Sequence, residues 1–194
     1  MFTNPKTILD IGVGFGKYGY LSREYLDVWG RGQDYNKWTV RIDGIEAFEE
    51  YLTPVHNFIY DHIYIGNAIN ILPTLTINYD LILIIDVLEH FNYNEGIVLL
   101  NECIKHGKNI IVSTPKAMGT QDIIFNNPYE RHKFQWGKKN FNNFLNKCFI
   151  PNNVSFIFYI GDNALKLKKA RINRKIGTIL PFIIPIAKKI KNLI

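Results

Sequence analysis

Cysteine is scarce in this chain, and long apolar runs and metal-ligand spacings are missing altogether. Only Cys103 and Cys148 occur in 194 residues. They allow at most one disulfide, and two reduced, packed thiols in a cytoplasmic protein are the simpler expectation. No uninterrupted apolar stretch reaches the roughly 20 residues that span a bilayer. Met1 to Thr7 lacks a basic region leading into an apolar run, so no signal peptide is expected. No cluster of histidine, cysteine and acid has ligand spacing, so no metal is expected. Acids are missing from Asn163 to Ile194, which holds nine Lys or Arg and leaves 14 basic and 17 acidic residues to the rest. The net charge of +6 therefore belongs to the tail. A nucleic-acid partner spread over the body is disfavoured. With 47% hydrophobic and 14% aromatic residues the chain is not disordered, and its length suits one domain with a real core.

What is present is organised around Thr7 to Gly19. Thr7-Ile8-Leu9 is a short apolar run that fits a buried strand, and Asp10 ends it. Gly12, Gly14 and Gly16 follow at alternate positions, and Tyr18 to Leu26 reads as a helix. Glycines at a strand-to-helix turn permit positive φ and let a ligand approach without a Cβ in the way. The helix start offers N–H groups to electron-rich atoms. A phosphate-cradling loop of the P-loop type fails, because position 11 is Ile and position 18 is Tyr. The dinucleotide fingerprint matches Gly14, Gly16 and Gly19. A third reading takes Asp10-x-Gly-x-Gly-x-Gly as the unit. Its acid repels a pyrophosphate and suits a cationic or amine-bearing ligand.

Further along, Asp27 to Trp38 reads as a loop, either a solvated connection or one wall of an acceptor pocket. Thr39 to Ile45 is a second strand ending at Glu46. An acid there accepts from a ribose diol or simply precedes a helix at Ala47 to Leu52. After a third strand at Ile63 to Ile65 come Gly66, Asn67 and Ala68, with Asn67 meeting an adenine edge or capping a helix. Tyr79 to Ile85 is the strongest strand, ending in Asp86-Val-Leu-Glu-His90, and Asn92 to Cys103 reads as a helix. Four strands each followed by polar residues and a helix predict an α/β fold with its site along the strands' carboxyl ends. Lys108 to Ser113 is a fifth strand, followed by a long loop from Thr114 to Trp136 that carries Tyr129 and His132. Lys139 to Lys147 reads as a helix. Val154 to Ile160 and Ala164 to Lys168, either side of Gly161-Asp-Asn, read as a closing antiparallel hairpin.

Asp10-Ile-Gly-Val-Gly-Phe-Gly, Glu46, Gly66-Asn67-Ala68 and Asp86-Val-Leu-Glu-His90, in that order, resemble the class I S-adenosylmethionine-dependent methyltransferases. The last motif is most similar to their small-molecule branch related to quinone-biosynthesis enzymes. The resemblance covers Thr7 to Val112. It implies a Rossmann-like, doubly wound sheet, mostly parallel with a C-terminal antiparallel hairpin. It further implies S-adenosylmethionine as cofactor and a small-molecule acceptor. Asp10 and the Gly12, Gly14 and Gly16 backbone would hold the methionine part and Glu46 the ribose. Asn67 and Ala68 would border the adenine, and Asp86 and Val87 would line the floor. Two departures stand out: Asn67 replaces the usual Asp, and the interval from Asp10 to Glu46 is long. Many members carry an N-terminal helical lid for which this chain shows no room.

Methyl transfer from a sulfonium is a direct displacement, so the protein mostly supplies alignment. A hydroxyl acceptor needs a base, for which His90, Glu89 and His132 are candidates, each also readable as a structural residue. Two rival functions are a nicotinamide-dependent oxidoreductase, for which Glu46 lies too far from the glycines, and a non-catalytic S-adenosylmethionine-binding module. The domain is expected over residues 1–170 and a basic amphipathic tail over 171–194. Ile176, Ile179, Leu180, Ile183, Ala187, Ile190 and Ile194 share one face of that tail. It would meet an anionic membrane surface peripherally, a second copy in a homodimer, or its own domain.

Overall fold

The computed structural model describes residues 3–32 and 37–174. The tail stripe from Ile176 to Ile194 lies outside the described residues.

Seven strands form one sheet: β1 (Thr7–Ile11), β2 (Arg41–Glu46), β3 (His62–Ile65), β4 (Leu81–Ile85), β5 (Asn109–Pro115), β6 (Lys147–Ile150) and β7 (Ser155–Gly161). Their order is β3-β2-β1-β4-β5-β7-β6. The first five pair in parallel, and β7 runs antiparallel to both β5 and β6. The expected fold class is therefore the one observed. β1 and β4 are nearly continuous apolar runs because both of their faces are covered. One face packs Leu9, Ile11, Ile82 and Ile84 against Leu99, Leu100 and Cys103 of α4 (Tyr93–His106). The other packs Ile8, Ile42 and Leu83 against Leu26 and Ile59. The short helices α1 (Lys17–Arg23) and α2 (Pro54–Ile59) pack on this second face, and α3 (Ala68–Ile71) on the first.

Three local expectations are corrected. The stretch Lys139 to Lys147 is not one helix. It is a single 3-10 turn, Lys138–Phe141, which buries Phe141, followed by a chain that enters β6 at Lys147. The closing hairpin exists, but its strands are β6 and β7, joined through residues 151–154. Ala164 to Lys168 is helical, and the helix continues to residue 174, across the boundary expected after residue 170. Its buried positions, Ala164 and Leu167, are three apart and pack on Cys148 and Tyr159, which is a helical and not a strand spacing.

The third correction concerns Asp27 to Trp38. The helix begun at α1 continues as π-type turns over Glu24–Gly32. Buried Arg23 pins it by donating to Asp27, Asp61 and the carbonyls of Ile59 and Val40. Trp38 then stacks edge-on against Phe58 and donates its indole N–H to the Phe58 carbonyl at 3.1 Å. It lines an open groove of about 540 Å³ with Arg41 and His62, at the amino ends of β2 and β3. Ligands of open α/β sheets sit at the carboxyl ends, so Trp38 faces away from the site.

Candidate functional site

At the carboxyl ends of the central strands the chain encloses a cavity of about 250 Å³, near the small end of ligand pockets. Gly12 and Gly14 form one wall, Glu46 the next, and Asn67 with Ala68 the third. Asp86, Val87 and His90 close it from the β4 side. Residues distant in sequence are thus brought together as expected.

The glycine wall is shaped by backbone geometry. Gly12, Gly14 and Gly16 have φ of 76°, 52° and 84°. A Cβ on Gly12 would lie 2.3 Å from the Val87 side chain, so that glycine fixes how closely the first turn packs on the β4 turn. A Cβ on Gly14 would meet nothing within 4 Å and would occupy the cavity itself. Gly14 is therefore the point where backbone is open to a ligand. The Gly14 N–H donates to Glu46 Oε2 at 2.8 Å, and Phe48 N–H donates to Oε1 at 2.9 Å. Glu46 is only 6% exposed, so these bonds orient it rather than exhaust it. A carboxylate has about four acceptor positions, and two remain for hydroxyl donors.

Asn67 fills the capping role that its sequence position allowed, and it also lines the cavity. Its side-chain oxygen accepts from the Ile69 N–H at 3.0 Å and caps α3, which leaves the amide donors for the cavity. Asp86 sits at φ 55°, a left-handed turn, and accepts from the Ser113 hydroxyl at 3.1 Å.

Asp10 and Gly16 do not line the cavity. Asp10 is 1% exposed and lies behind the glycine turn, where Tyr60 donates to Oδ2 at 2.7 Å and the Gly19 N–H donates to the same Tyr60 oxygen. Its Oδ1 is buried without a partner among the described residues. Burial pushes the Asp10 carboxyl up to about 7, and the nearby Glu46 carboxylate adds to this while Tyr60 opposes it. Gly16 heads α1, where a Cβ would press on the His56 ring.

Sequence reasoning missed His56 and Tyr60 as braces of this turn. Thr53 N–H donates to His56 Nδ1 at 2.9 Å, which leaves Nε2 protonated and donating to the Gly14 carbonyl at 2.9 Å. The only sequence signal was the Thr53-Pro54 helix start three residues before His56. Trp136, named in sequence only as part of the long loop, proves to be its buried anchor. It is fully buried, donates to the Leu88 carbonyl at 2.8 Å, and packs where a Cβ on Gly96 would stand.

The loop after β5 folds back over the cavity and contributes Asn127, Tyr129, Glu130 and Lys133 to its wall. Tyr51 donates to Glu130 Oε1 at 2.8 Å, and its ring meets Phe15 and Phe125, which form an exposed aromatic rim. The same loop brings His132 to His90, ring centroids 5.1 Å apart. Burial lowers the pKa of His90 and pushes the buried Glu89 carboxyl up to about 7. All three proposed base candidates therefore sit together, with His90 on the cavity wall. Glu89, His90 and His132 also form a ligand-type cluster, although no sequence spacing announced one.

No family model and no curated protein matches the sequence. Solved structures do match the fold. A SAM-dependent methyltransferase from Archaeoglobus fulgidus superposes with a TM-score of 0.59 at 15% identity, over 83% of this chain and 88% of that one. PigF, solved with SAH, gives 0.56 at 14% identity, over 84% of this chain and 52% of that one. A putative O-methyltransferase from Nostoc punctiforme gives 0.55 at 15% identity, over 81% of this chain and 52% of that one. The chain spans about half the length of the last two. Five parallel strands closed by an antiparallel β7 between β5 and β6, with the cavity at the carboxyl ends of β1, β2 and β4, give this chain the fold of the class I S-adenosylmethionine-dependent methyltransferases.

Proposed function

We propose that the chain transfers the methyl group of S-adenosylmethionine to a small-molecule acceptor. The observation that carries this reading is the cavity that Gly14 leaves open directly beside the oriented Glu46 carboxylate. When bound, the cofactor supplies a methyl group already activated by its sulfonium. Glu46 accepts from the ribose hydroxyls, and the Asn67 amide donates to the adenine edge. Gly12 and Gly14 give backbone contact to the methionine part. Asp10 acts through Tyr60 and Gly19, holding the turn in shape from behind. His90 faces the acceptor, and a hydroxyl proton leaves to the cluster of His90, Glu89 and His132.

A nicotinamide oxidoreductase is disfavoured because the dinucleotide fold carries a parallel sixth strand where this chain has antiparallel β7. The exposed Phe15 and Phe125 at the mouth suit an acceptor with an apolar portion. No described helix is long and apolar enough to cross a membrane. Cys103 and Cys148, both buried and reduced, suit a cytoplasmic setting.

Thermal shift with S-adenosylhomocysteine, NAD and NADP tests the cofactor. A ligand that binds only the folded state raises the melting temperature by mass action. S-adenosylhomocysteine alone should do so, and a shift with NAD alone overturns the reading. Turnover of a supplied acceptor separates an enzyme from a module that only binds the cofactor.

A further inference from the structure

The positive charge of the chain is not confined to its tail. Residues 1–132 hold 10 Lys or Arg and 16 acids, whereas residues 133–194 hold 13 Lys or Arg and a single acid, Asp162. The two parts therefore carry charges of opposite sign. The fold gathers the described portion of the second part at one edge of the sheet. β6 is the outermost strand, with β7 beside it. A helix over residues 164–174 packs Ala164 and Leu167 on Cys148 and Tyr159 of these strands.

Cations reach this edge from both faces of the sheet. On the face of Phe149, Lys138 Nζ stands 4.2 Å from the ring centre. On the helix side, Arg171 donates to the Phe149 carbonyl, and Lys147, Lys168 and Arg171 line an open groove of about 390 Å³ together with Ile172. Among the described residues, none of Lys138, Lys147, Lys168 and Arg171 pairs with a carboxylate. Asp162 sits beside Lys108 at the start of β5 and does not line this groove. Like charges gathered without counterions repel one another, and an anionic partner offsets that cost.

The solvent face of the helix adds apolar surface. Leu165 and Ile172 are 58% and 49% exposed, about two helical turns apart, with exposed Lys168 and Lys169 between them. Beyond the described residues the sequence repeats this pattern. Ile176, Ile179 and Ile183 follow Ile172 at helical spacing, and residues 163–194 hold no acid. A nucleic-acid strand is met by cations interleaved with polar or stacking side chains. Exposed aliphatic side chains between lysines match the boundary of lipid head groups and acyl chains instead. There lysine stems lie along apolar surface while their charges meet phosphate.

We propose that the β6 edge and the helix over residues 164–174 dock the chain on the anionic phospholipid surface of a membrane. Leu165 and Ile172 enter the interface, and Lys168, Lys169 and Arg171 face the head groups. The cytoplasmic leaflet carries the negative potential that such a face meets. This docking needs neither cofactor nor methyl transfer.

The test is flotation of the full chain with vesicles of phosphatidylcholine alone and of phosphatidylcholine mixed with phosphatidylglycerol, at low and high salt. Binding to the anionic vesicles only, weakened by salt, is expected. Lys168→Gln with Lys169→Gln removes two cations each worth about 1 kcal/mol near such a surface, so binding should fall about 30-fold. Leu165→Ser with Ile172→Ser should also weaken binding and leave its salt dependence in place, because the charges remain. All four side chains are exposed, so the variants keep the core, and circular dichroism verifies their folding. A parent that does not float with anionic vesicles overturns the proposal, as does unchanged flotation of the lysine variant. Binding of an oligonucleotide without binding of vesicles also overturns it and makes the face a nucleic-acid surface. A salt-sensitive dimer in sedimentation equilibrium, again without vesicle binding, overturns it in favour of contact with the acidic part of a second copy.

Discussion

The two halves of the site are built in different ways. The half formed by the tips of β1, β2 and β3 is local: a glycine turn, a strand-end acid and a helix-capping Asn, each next to the strand that positions it. The half formed after β4 and β5 is assembled at long range. His132 reaches His90 only because a loop of some twenty residues is tied down by Trp136 beneath it. Short loops set by turn chemistry specify geometry cheaply. A long loop must offset its own ordering entropy, and here a buried aromatic anchor supplies that.

The largest expected effect tests the anchor. Trp136 is fully buried and stacks among Tyr93, Phe134 and Phe141. Trp136→Ala should cost about 3–5 kcal/mol from the cavity it leaves. That corresponds to a fall in melting temperature of roughly 10 °C for a chain of this size. Urea unfolding measures it. A loss below about 1 kcal/mol would mean that the loop is ordered by something else.

Next comes the open position in the local half. Gly14→Val places a side chain in the cavity at φ 52°. Calorimetry with S-adenosylhomocysteine should show affinity reduced by about 100-fold or more, near 3 kcal/mol. Backbone strain adds a stability loss of about 1–2 kcal/mol. Unchanged affinity would move the cofactor away from this turn.

Glu46→Gln should be milder. It exchanges a charged acceptor for an amide whose nitrogen faces a backbone donor, either Gly14 or Phe48. Loss of a charge-assisted hydrogen bond is worth about 1.5–3 kcal/mol, so binding should weaken by roughly 10- to 100-fold. An equal loss of affinity in His132→Ala would erase the contrast between the halves, since that residue is proposed to serve the acceptor and not the cofactor.

This division also marks what was legible in the sequence. The five strands β1 to β5, the glycine turn, Glu46, Asn67 and the Asp86–His90 segment follow from runs and strand ends within a few residues of each other. The closing region misled because Phe141, Phe144 and Ala164 take their conformations from what they pack against. Lys139 to Lys147 holds helix-compatible residues, yet burying Phe141 and feeding β6 leaves space for a single turn. Asp10 was placed on the ligand because a strand-end acid beside glycines looks available. Tyr60, 50 positions away, holds its buried carboxylate, which does not line the cavity. The Glu89, His90 and His132 cluster was illegible for the same reason: no local spacing records a contact made by a folded-back loop.

The smallest effect concerns Asp10 and is read against pH. Its carboxyl is raised from 3.8 to about 7 in the folded chain, chiefly by burial. Between those values the folded chain keeps a proton that the unfolded chain has released. Stability from this group is therefore fully present below about pH 4 and is lost as pH rises through about 7. Melting temperature should fall from pH 5.5 to pH 8, whereas a chain governed by paired carboxylates would gain stability over the lower part of that range. Asp10→Asn keeps an acceptor for the Tyr60 hydroxyl and removes the titration, so its profile should be flatter. The slope that remains combines Glu89, raised to about 7 for the same reason, with His90, whose lowered pKa acts in the opposite sense. A parent profile that rises toward pH 8 would mean that the carboxyl behind the glycine turn is paired in solution.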